Sequence, residues 1–331
     1  EVQTKQRRAA ARVAERSIQK AGAAQIVIVG LTKVGRSSLL AALTAARPHV
    51  ATYPYATKES VPGMLQFEDL QFQLVELPAL VPEKDGRFGF QEGSADLVRN
   101  CDGLIIMVDL GADPVQQLDH IVAELARSQV STIKSESNVS VMKTQSGGVQ
   151  LLTAGRLVGC TRDQIISLLK SYGISNAIVH SVGDISLDRV EDVILGTSLI
   201  YKPTIVVANK ADLPNASINA RGLIEQTGSR MSVLVASSLT RHGLQELGRR
   251  LFEALDIVRI YAKEPNASNP SPEPFVVKEG TTIGGLSRQI HSVLFRQFKY
   301  ARVWGKSASY GGERVGIDHV LMDGDTVEIH A

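Results

Sequence analysis

The sequence predicts an α/β protein, in which a doubly wound parallel sheet carries an α+β insert and is followed by a small β-grasp domain. Three apolar runs predict the sheet, because 26–29, 104–108 and 204–207 are uninterrupted and rich in β-branched residues, as in strands buried on both faces. A glycine-containing loop follows the first run. Four prolines within 265–274 separate these features from a C-terminal segment with its own strand and helix patterns.

These patterns divide the chain into five parts. The pattern of basic and apolar residues in 1–24 predicts a basic N-terminal helix. This helix is either a solvated leader or a contact with RNA. The sheet domain is assigned to 25–112 and 199–262, and the α+β insert to 113–198. Residues 263–274 are predicted to be a proline-rich linker and 275–331 the β-grasp domain.

Composition excludes several classes of protein. Lys plus Arg number 36 and Asp plus Glu 34, a net charge of +2, which argues against nucleic-acid binding by bulk charge alone. No apolar run reaches the ~18 residues of a transmembrane helix, so no membrane contact is expected. Cys101 and Cys160 are too few for a disulfide framework or a zinc site. We expect a cytoplasmic protein, and a monomer.

The segment from Gly30 to Ser37 follows the first predicted strand and opens a helix. It fits the phosphate-loop (P-loop) pattern G-x-x-x-x-G-K-[ST], whose backbone amides hold phosphates at a helix N-terminus, except that Arg36 stands at the Lys position. Arg is planar and not equivalent to Lys at a tightly wrapped phosphate. Nucleotide binding is therefore predicted and catalysis is in question; a turn without a ligand is the alternative. The candidate contacts are Gly30, Lys33, Val34, Gly35, Arg36, Ser37 and Ser38.

The motif Asn209-Lys210-Ala211-Asp212 stands at the end of the third apolar run. In this spacing Asp212 accepts hydrogen bonds from N1 and the 2-amino group of guanine, Lys210 stacks on the base, and Asn209 ties the base loop to the phosphate loop. Ser237 and Ser238 end a further apolar run and are candidates for a contact with guanine O6. Both motifs meet at the ligand-binding edge of an open α/β sheet. The sequence predicts a guanine-nucleotide site; a relic fold that binds nothing is the alternative.

Two γ-phosphate sensors would complete a nucleotide switch. Thr57, twenty positions after Ser37, is the first candidate, and the hydroxyls of Thr57 and Ser37 are candidate Mg²⁺ ligands. The second sensor should read D-x-x-G, but Glu76 and Ala79 stand at its ends. The longer carboxylate is expected to crowd the Mg²⁺ position. The Cβ of Ala79 is expected to hinder the close approach to the γ-phosphate that Gly permits.

From about Gln25 to its C-terminus the chain resembles the developmentally regulated GTP-binding (DRG) branch of the Obg-related GTPases. The Arg314–His319 segment and the segment before it are the most specific part of the resemblance. The segments that carry it are Tyr53–Thr57 with Pro62 and Gly63, Tyr172–Ala177, Tyr201–Pro203, Val258–Tyr261, Phe298–Gly305 and Arg314–His319.

The resemblance implies a GTPase domain with an insert, a C-terminal TGS domain, and a role at the ribosome or in translation. Its implied ligands are GTP or GDP and Mg²⁺. Because Arg36, Glu76 and Ala79 depart from the family pattern, we expect slow or impaired hydrolysis. No residue is assigned as catalytic with certainty, and the candidates are Lys33, Arg36 and Thr57. The alternative is an inactive adaptor, a pseudo-GTPase that presents its TGS and insert domains to RNA or protein partners.

The family's loop usually reads Pro-Asn where this chain has Thr32-Lys33, and the resemblance implies that the Asn helps to hold a potassium ion. We hypothesise that the Lys33 ammonium takes the place of K⁺ or supplies the charge that Arg36 does not deliver, because both positions differ together. The alternative is a solvated loop lysine. A requirement for K⁺ is accordingly not expected.

Residues 287–306 contain five basic residues and no Asp or Glu, with aromatic residues between them. Phosphate pairing and base stacking on such a surface predict a contact with RNA. The alternative is that the aromatic rings fill the β-grasp core while the charges are solvated. The candidate RNA contacts are Arg288, Arg296, Lys299, Arg302 and Lys306.

Overall fold

A computed structural model describes residues 18–44, 61–83, 86–91, 93–134, 138–196, 198–265 and 267–331. The strands are β1 Ala24–Gly30, β2 Val61–Phe67, β3 Leu70–Glu76, β4 Val81–Pro82, β5 Phe88–Gly89, β6 Gly103–Asp109, β7 Val130–Ser131, β8 Asn138–Lys143, β9 Val149–Thr153, β10 Ala177–Val182, β11 Ile200–Tyr201, β12 Thr204–Asn209, β13 Ser232–Val235, β14 Ile257–Ala262, β15 Phe275–Lys278, β16 Tyr300–Trp304, β17 Glu313–Val315 and β18 Asp325–His330. The α-helices are α1 Arg36–Leu43, α2 Ser94–Asn100, α3 Pro114–Arg127, α4 Arg162–Ser171, α5 Leu187–Leu195, α6 Ala216–Thr227, α7 Leu247–Ala254, α8 Ile283–Ile290 and α9 Ser292–Arg296. Two 3₁₀ turns cover Gly228–Arg230 and Leu244–Glu246.

A six-stranded sheet in the order β13-β12-β6-β1-β3-β2 forms the centre of the first domain. Its strands run parallel except for β2, which pairs antiparallel with β3. The three predicted apolar runs are β1, β6 and β12, and each is buried on both faces. The predicted doubly wound α/β class is therefore confirmed.

The two faces of this sheet are covered by separate hydrophobic cores. Ile26 and Ile28 of β1 point into the first core, with residues of α1 and α7. Val27 and Val29 point into the second core, with residues of α3 and α6. Helix α3 therefore belongs to the sheet domain, although the sequence assigned 113–198 to the insert, because the apolar stripe of α3 packs on the sheet.

The insert has its own core. Its three-stranded sheet, in the order β8-β10-β9, packs against α4 and α5 through residues such as Ile165, Val179 and Val190. Thr161 caps α4 with a capping box. The insert joins the first domain at the short pair β7 and β11, where Val130 lies opposite Ile200.

The C-terminal domain is a five-stranded sheet in the order β15-β14-β18-β16-β17, with α8 and α9 on one face. Strand β14 pairs with both β15 and β18, so 257–262 belong to this domain and not to the sheet domain as predicted. The proline-rich stretch therefore connects two strands of one sheet. The helical part of this domain is divided at His291, whose backbone is extended between α8 and α9.

Two predicted features fall wholly or mostly outside the described residues. They are the first switch with Thr57 and most of the basic N-terminal helix, of which 18–23 are described and form no helix. Within the described ranges, no helix is long and apolar enough to cross a membrane.

Candidate nucleotide-binding site

The phosphate loop connects β1 to α1 at the carboxyl edge of the central sheet. Lys33 and Gly35 adopt left-handed backbone conformations, with φ of 62° and 96°, and Gly35 is the N-cap of α1. A Cβ at Gly35 would clash with Nδ2 of Asn209, so glycine is required there by close approach as well as by φ. Lys33 is exposed, whereas Val34 and Arg36 are buried.

Asn209, at the end of β12, connects the two halves of the site. Its Nδ2 donates to the carbonyl of Val34 at 2.8 Å. Its Oδ1 accepts from the backbone N of Ser238 at 2.8 Å and from the Ser238 hydroxyl at 3.0 Å. The side chain is 2% exposed, so both halves are held by a buried and fully paired amide.

The base-binding side is ordered by two further contacts. Ser237 donates from its hydroxyl to Oδ1 of Asp212 at 2.5 Å, which orients the carboxylate. Lys210 has a left-handed backbone with φ of 66°, and its Nζ lies 2.5 Å from Oδ2 of Asp109. Asp109 was missed by the sequence reasoning, although a carboxylate at the end of the middle apolar run was a usable signal.

The segment Glu76–Leu80, which we call the second switch segment, is built into the sheet. The backbone N of Leu77 donates to Ile28 O at 3.2 Å, and that of Leu80 donates to Gly30 O at 3.2 Å. All five residues are buried, and Leu77 and Leu80 belong to the second core. The segment therefore continues β3 along the start of the phosphate loop and is fixed there by packing.

Arg36 ties the phosphate loop to this segment. Its Nη1 donates to the carbonyl of Leu77, and the side chain packs across Gly30 and is 7% exposed. Burial lowers the pKa of Arg36, although the nearby Glu76 carboxylate opposes this effect. Burial likewise raises the pKa of Glu76, against the Ser37 hydrogen bond and the charge of Arg36. The two buried groups thus influence each other's charge, but among the described residues they form no direct ion pair, since Arg36 bonds Leu77 and Glu76 bonds Ser37.

The contacts of Glu76 show whether the residues of this site could bind a metal ion. Its Oε1 accepts from the Ser37 hydroxyl at 2.5 Å, while its Oε2 is buried without any partner among the described residues. Carboxylate and hydroxyl oxygens are the ligands Mg²⁺ prefers, so these two residues fit the ion. Glu76, which the sequence analysis expects to crowd the Mg²⁺ position, instead offers it the Oε2 atom. No group of three His, Cys, Asp or Glu in the described ranges could hold a metal, which leaves further ligands to phosphate or water.

The basic residues predicted to contact RNA do not share one face. Arg302 projects from the sheet face opposite the core, because its neighbours Ala301 and Val303 are buried. Arg288 and Arg296 lie on α8 and α9, and Arg288 stacks on Phe295 at 3.7 Å. Nζ of Lys299 bonds the carbonyl of Ala331 at 3.3 Å, and Lys306 follows β16. The structure thus divides the predicted patch between two layers.

Family models match the chain in three consecutive parts: a 50S ribosome-binding GTPase over 25–142, the C-terminal region of that domain over 146–257, and a TGS domain over 258–331. A developmentally regulated GTP-binding protein 1 homologue of Dictyostelium discoideum is 31% identical over 317 residues, 94% of this chain and 84% of the relative. Developmentally regulated GTP-binding protein 1 of Xenopus laevis is 30% identical over 94% of this chain and 83% of its own.

Among solved structures, the YchF GTPase of Schizosaccharomyces pombe aligns with a TM-score of 0.55 at 15% identity, over 94% of this chain and 99% of that one. That likeness supports the fold alone. The TGS match also begins at 258, which agrees with the place of β14 in the C-terminal sheet. On the identity and coverage of its relatives, the chain belongs to the family of developmentally regulated GTP-binding proteins, with a GTPase domain followed by a TGS domain.

Proposed function

We propose that this chain binds GTP and GDP at the edge of its six-stranded sheet and that its hydrolysis of GTP is slow or impaired. The proposal rests on a contrast between two parts of the site, the base-binding motif and the second switch segment. Asn209 joins a complete base-binding motif to the phosphate loop, while the second switch segment is packed as core. A site of this kind can hold a guanine nucleotide, but its second switch segment has little freedom to respond to the γ-phosphate.

Each side of the proposed site has a defined task. Asp212, held by Ser237, pairs with the guanine edge, and the stem of Lys210 covers the base. The amides of the phosphate loop and of Ser38 hold the phosphates at the start of α1. We assign the exposed Lys33, rather than the buried Arg36, to face the phosphates as a cation.

Ser37 and Glu76 would hold Mg²⁺, and the predicted ligand Thr57 lies outside the described residues. When bound, the ion would neutralise charge on the phosphate oxygens. It would also relieve the cost of the unpartnered Glu76 oxygen.

Slow hydrolysis follows from what the second switch segment presents. In-line attack on the γ-phosphate needs a positioned water and a group that orients it. Leu77, Pro78, Ala79 and Leu80 offer only backbone groups, and two of their amides already donate to β1 or the loop. The inactive adaptor remains the alternative function, and it predicts no turnover at all.

Calorimetry with the full chain tests the proposal. GDP and a non-hydrolysable GTP analogue should bind with similar affinity, and ATP should not bind. Omitting Mg²⁺ should weaken both guanine nucleotides. Failure of both to bind would refute the proposed site, and a strong preference for the GTP analogue would refute the fixed second switch segment. Release of phosphate from GTP, measured over hours, distinguishes the slow GTPase from the adaptor.

We further propose that the outer face of the TGS sheet contacts RNA, in a cytoplasmic role at the ribosome. The rings of Tyr300 and His330 are stacked at 4.4 Å, and the guanidinium of Arg314 lies 4.0 Å from the Tyr300 ring. Nζ of Lys263 lies 4.3 Å from the Trp304 ring. On the same face, the buried Glu328 already pairs with Lys263 and His330. Arg302 and Arg314 are exposed beside these half-buried rings, and they are the cations proposed to meet RNA phosphates.

Binding of a labelled single-stranded RNA, followed by anisotropy over a range of salt, tests this surface. Arg302→Ala should weaken binding and reduce the salt slope by about one. Arg288→Ala, on the helical layer, is the matched control and should leave both unchanged. Trp304 is the only tryptophan of the chain, so RNA should change its fluorescence. Equal effects of the two Arg variants would contradict the assignment of this face.

A further inference from the structure

A cluster of charged residues joins the tip of the β2–β3 hairpin to the TGS domain. Arg259 of β14 donates from Nη1 to Glu68 and, at 3.1 Å, to Asp69, both in the hairpin turn. Its Nη2 lies 2.8 Å from Oδ2 of Asp323 in the TGS domain. The hydroxyl of Tyr261 donates to the other oxygen of Asp69. We call these five residues the hairpin clamp.

The clamp depends on one cation. Three carboxylates converge on Arg259, whose side chain is only 18% exposed. Partial burial acts to raise the pKa of Asp69, but hydrogen bonds from Tyr261 and Arg259 hold it below the ordinary value. Loss of the guanidinium would leave three acids facing one another, so Arg259 is the residue on which the hairpin clamp depends.

Aromatic packing holds the same end of the hairpin from a second side. Phe67, the last residue of β2, lies 5.9 Å from the Phe252 ring of α7. Gly248 lies so close to Phe67 that a Cβ there would be 2.7 Å from the ring. Arg259 in turn lies 5.1 Å from the Phe252 ring. The tip of the hairpin thus packs between α7 and β14, the first strand of the TGS domain.

The other end of the hairpin reaches the nucleotide site. Strand β3 ends at Glu76, beside Ser37, and β2 begins directly after the region that contains Thr57. Strand β2 is outermost in the sheet order, and its Leu65 and Phe67 pack on the first core. The hairpin is therefore the described element that reaches both the nucleotide site and the TGS domain.

We infer that the hairpin clamp couples the nucleotide bound at the sheet edge to the position of the TGS domain. The inference rests on the proposed nucleotide binding. Two sites that bias one element are linked reciprocally. A change of nucleotide therefore alters the strength of the clamp, and a broken clamp alters the relative affinity for the two nucleotides.

The test measures the ratio of Kd for GDP to Kd for a non-hydrolysable GTP analogue in the full chain. Arg259→Gln and Asp69→Asn should each change this ratio by about fivefold or more, and Tyr261→Phe should change it less. Arg250→Gln is the matched control, because Arg250 lies on α7 but pairs with Glu246 instead of the hairpin. A merely structural ion pair would alter stability and leave the ratio unchanged.

Hydrogen exchange of 61–76 and 257–262 gives a second readout. Exchanging GDP for the GTP analogue should change protection of both segments in the wild type, but only of 61–76 in Arg259→Gln. An unchanged ratio in both clamp variants, with normal binding by the wild type, would overturn the inference alone. Absence of binding by the wild type would instead overturn the proposed function, and the coupling with it.

Discussion

The proposed site has two sides, one for the guanine base and one for the phosphates, which differ in construction. On the base side, loop residues are held by side-chain hydrogen bonds that Asn209 and Ser237 provide, and Leu239 is 82% exposed beside them. On the phosphate side, the second switch segment is packed as core, with Leu77 and Leu80 fully buried. Under the proposed function, the site keeps its recognition of guanine while packing replaces the response of this segment to the γ-phosphate.

Substituting one leucine on each side tests this difference most strongly. Leu80→Ala should lower the free energy of unfolding of the nucleotide-free protein by about 2–5 kcal/mol, because it leaves a cavity in the second core. Leu239→Ala, in the exposed base loop, should change it by no more than about 0.5 kcal/mol. Urea unfolding measures both. Similar values would mean that the second switch segment is not part of the core.

The next effect concerns recognition on the base side. Asp212→Asn should lower the affinity for GDP about 10- to 100-fold, because a charged hydrogen-bond acceptor is lost. The variant should gain affinity for xanthosine diphosphate, whose carbonyl at position 2 accepts from the new amide. Calorimetry measures both ligands. Asp119→Asn, exposed on α3, is the control, and a matching loss there would contradict the specific role of Asp212.

Two cations of the phosphate loop should separate stability from binding. Arg36→Met should lower the free energy of unfolding by about 1–3 kcal/mol, because Leu77 O loses its donor and Glu76 its counter-charge. Lys33→Met should leave stability unchanged and weaken GDP about tenfold, with no effect on guanosine, if its ammonium faces the phosphates. Thermal melting measures the stability of both variants, and calorimetry measures their affinity for GDP and guanosine. If Arg36→Met weakened GDP binding and Lys33→Met did not, Arg36 would be the residue that contacts the phosphates.

The smallest expected effect is on the pH dependence of stability, through the two aspartates of the hairpin clamp. Hydrogen bonds from Arg259 keep the pKa of Asp323 below its ordinary value despite partial burial, and the pKa of Asp69 is lowered too. Their contribution to stability is therefore complete above the unfolded value of 3.8 and is lost as pH falls through the lower folded values. The urea midpoint should fall more steeply below pH 4 in the wild type than in Asp69→Asn. Parallel curves would contradict the clamp.

Much of the fold could be predicted because its signals are local. The runs that became β1, β6 and β12 are apolar throughout, and a strand buried on both faces has this pattern in any parallel sheet. The loop from Gly30 to Ser37 and the motif from Asn209 to Asp212 define their turns through glycine and side-chain chemistry. These features need no knowledge of distant partners.

The features that were missed depend on partners far away in sequence. The boundary predicted at 262 puts β14 in the wrong domain, because the local pattern does not show which sheet a strand joins, although Val258–Tyr261 resembles part of the family's TGS domain. The apolar stripe of α3 fits either the insert or the central sheet. Arg259 and Asp69 are separated by 190 positions, and nothing in either segment shows that they meet. Pairing of this kind is decided by topology.

The connection between the two domains is two residues long. Helix α7 ends at Ala254, β14 begins at Ile257, and Asp256 between them has a left-handed backbone with φ of 49°. So short a tether keeps the TGS domain at a high effective concentration around the hairpin, where ion pairs worth about 1 kcal/mol or less each add to the packing of Ile257 and Val276 against the first core. Residues inserted after Asp256 would lower this effective concentration, so the hairpin clamp would weaken as the linker becomes longer.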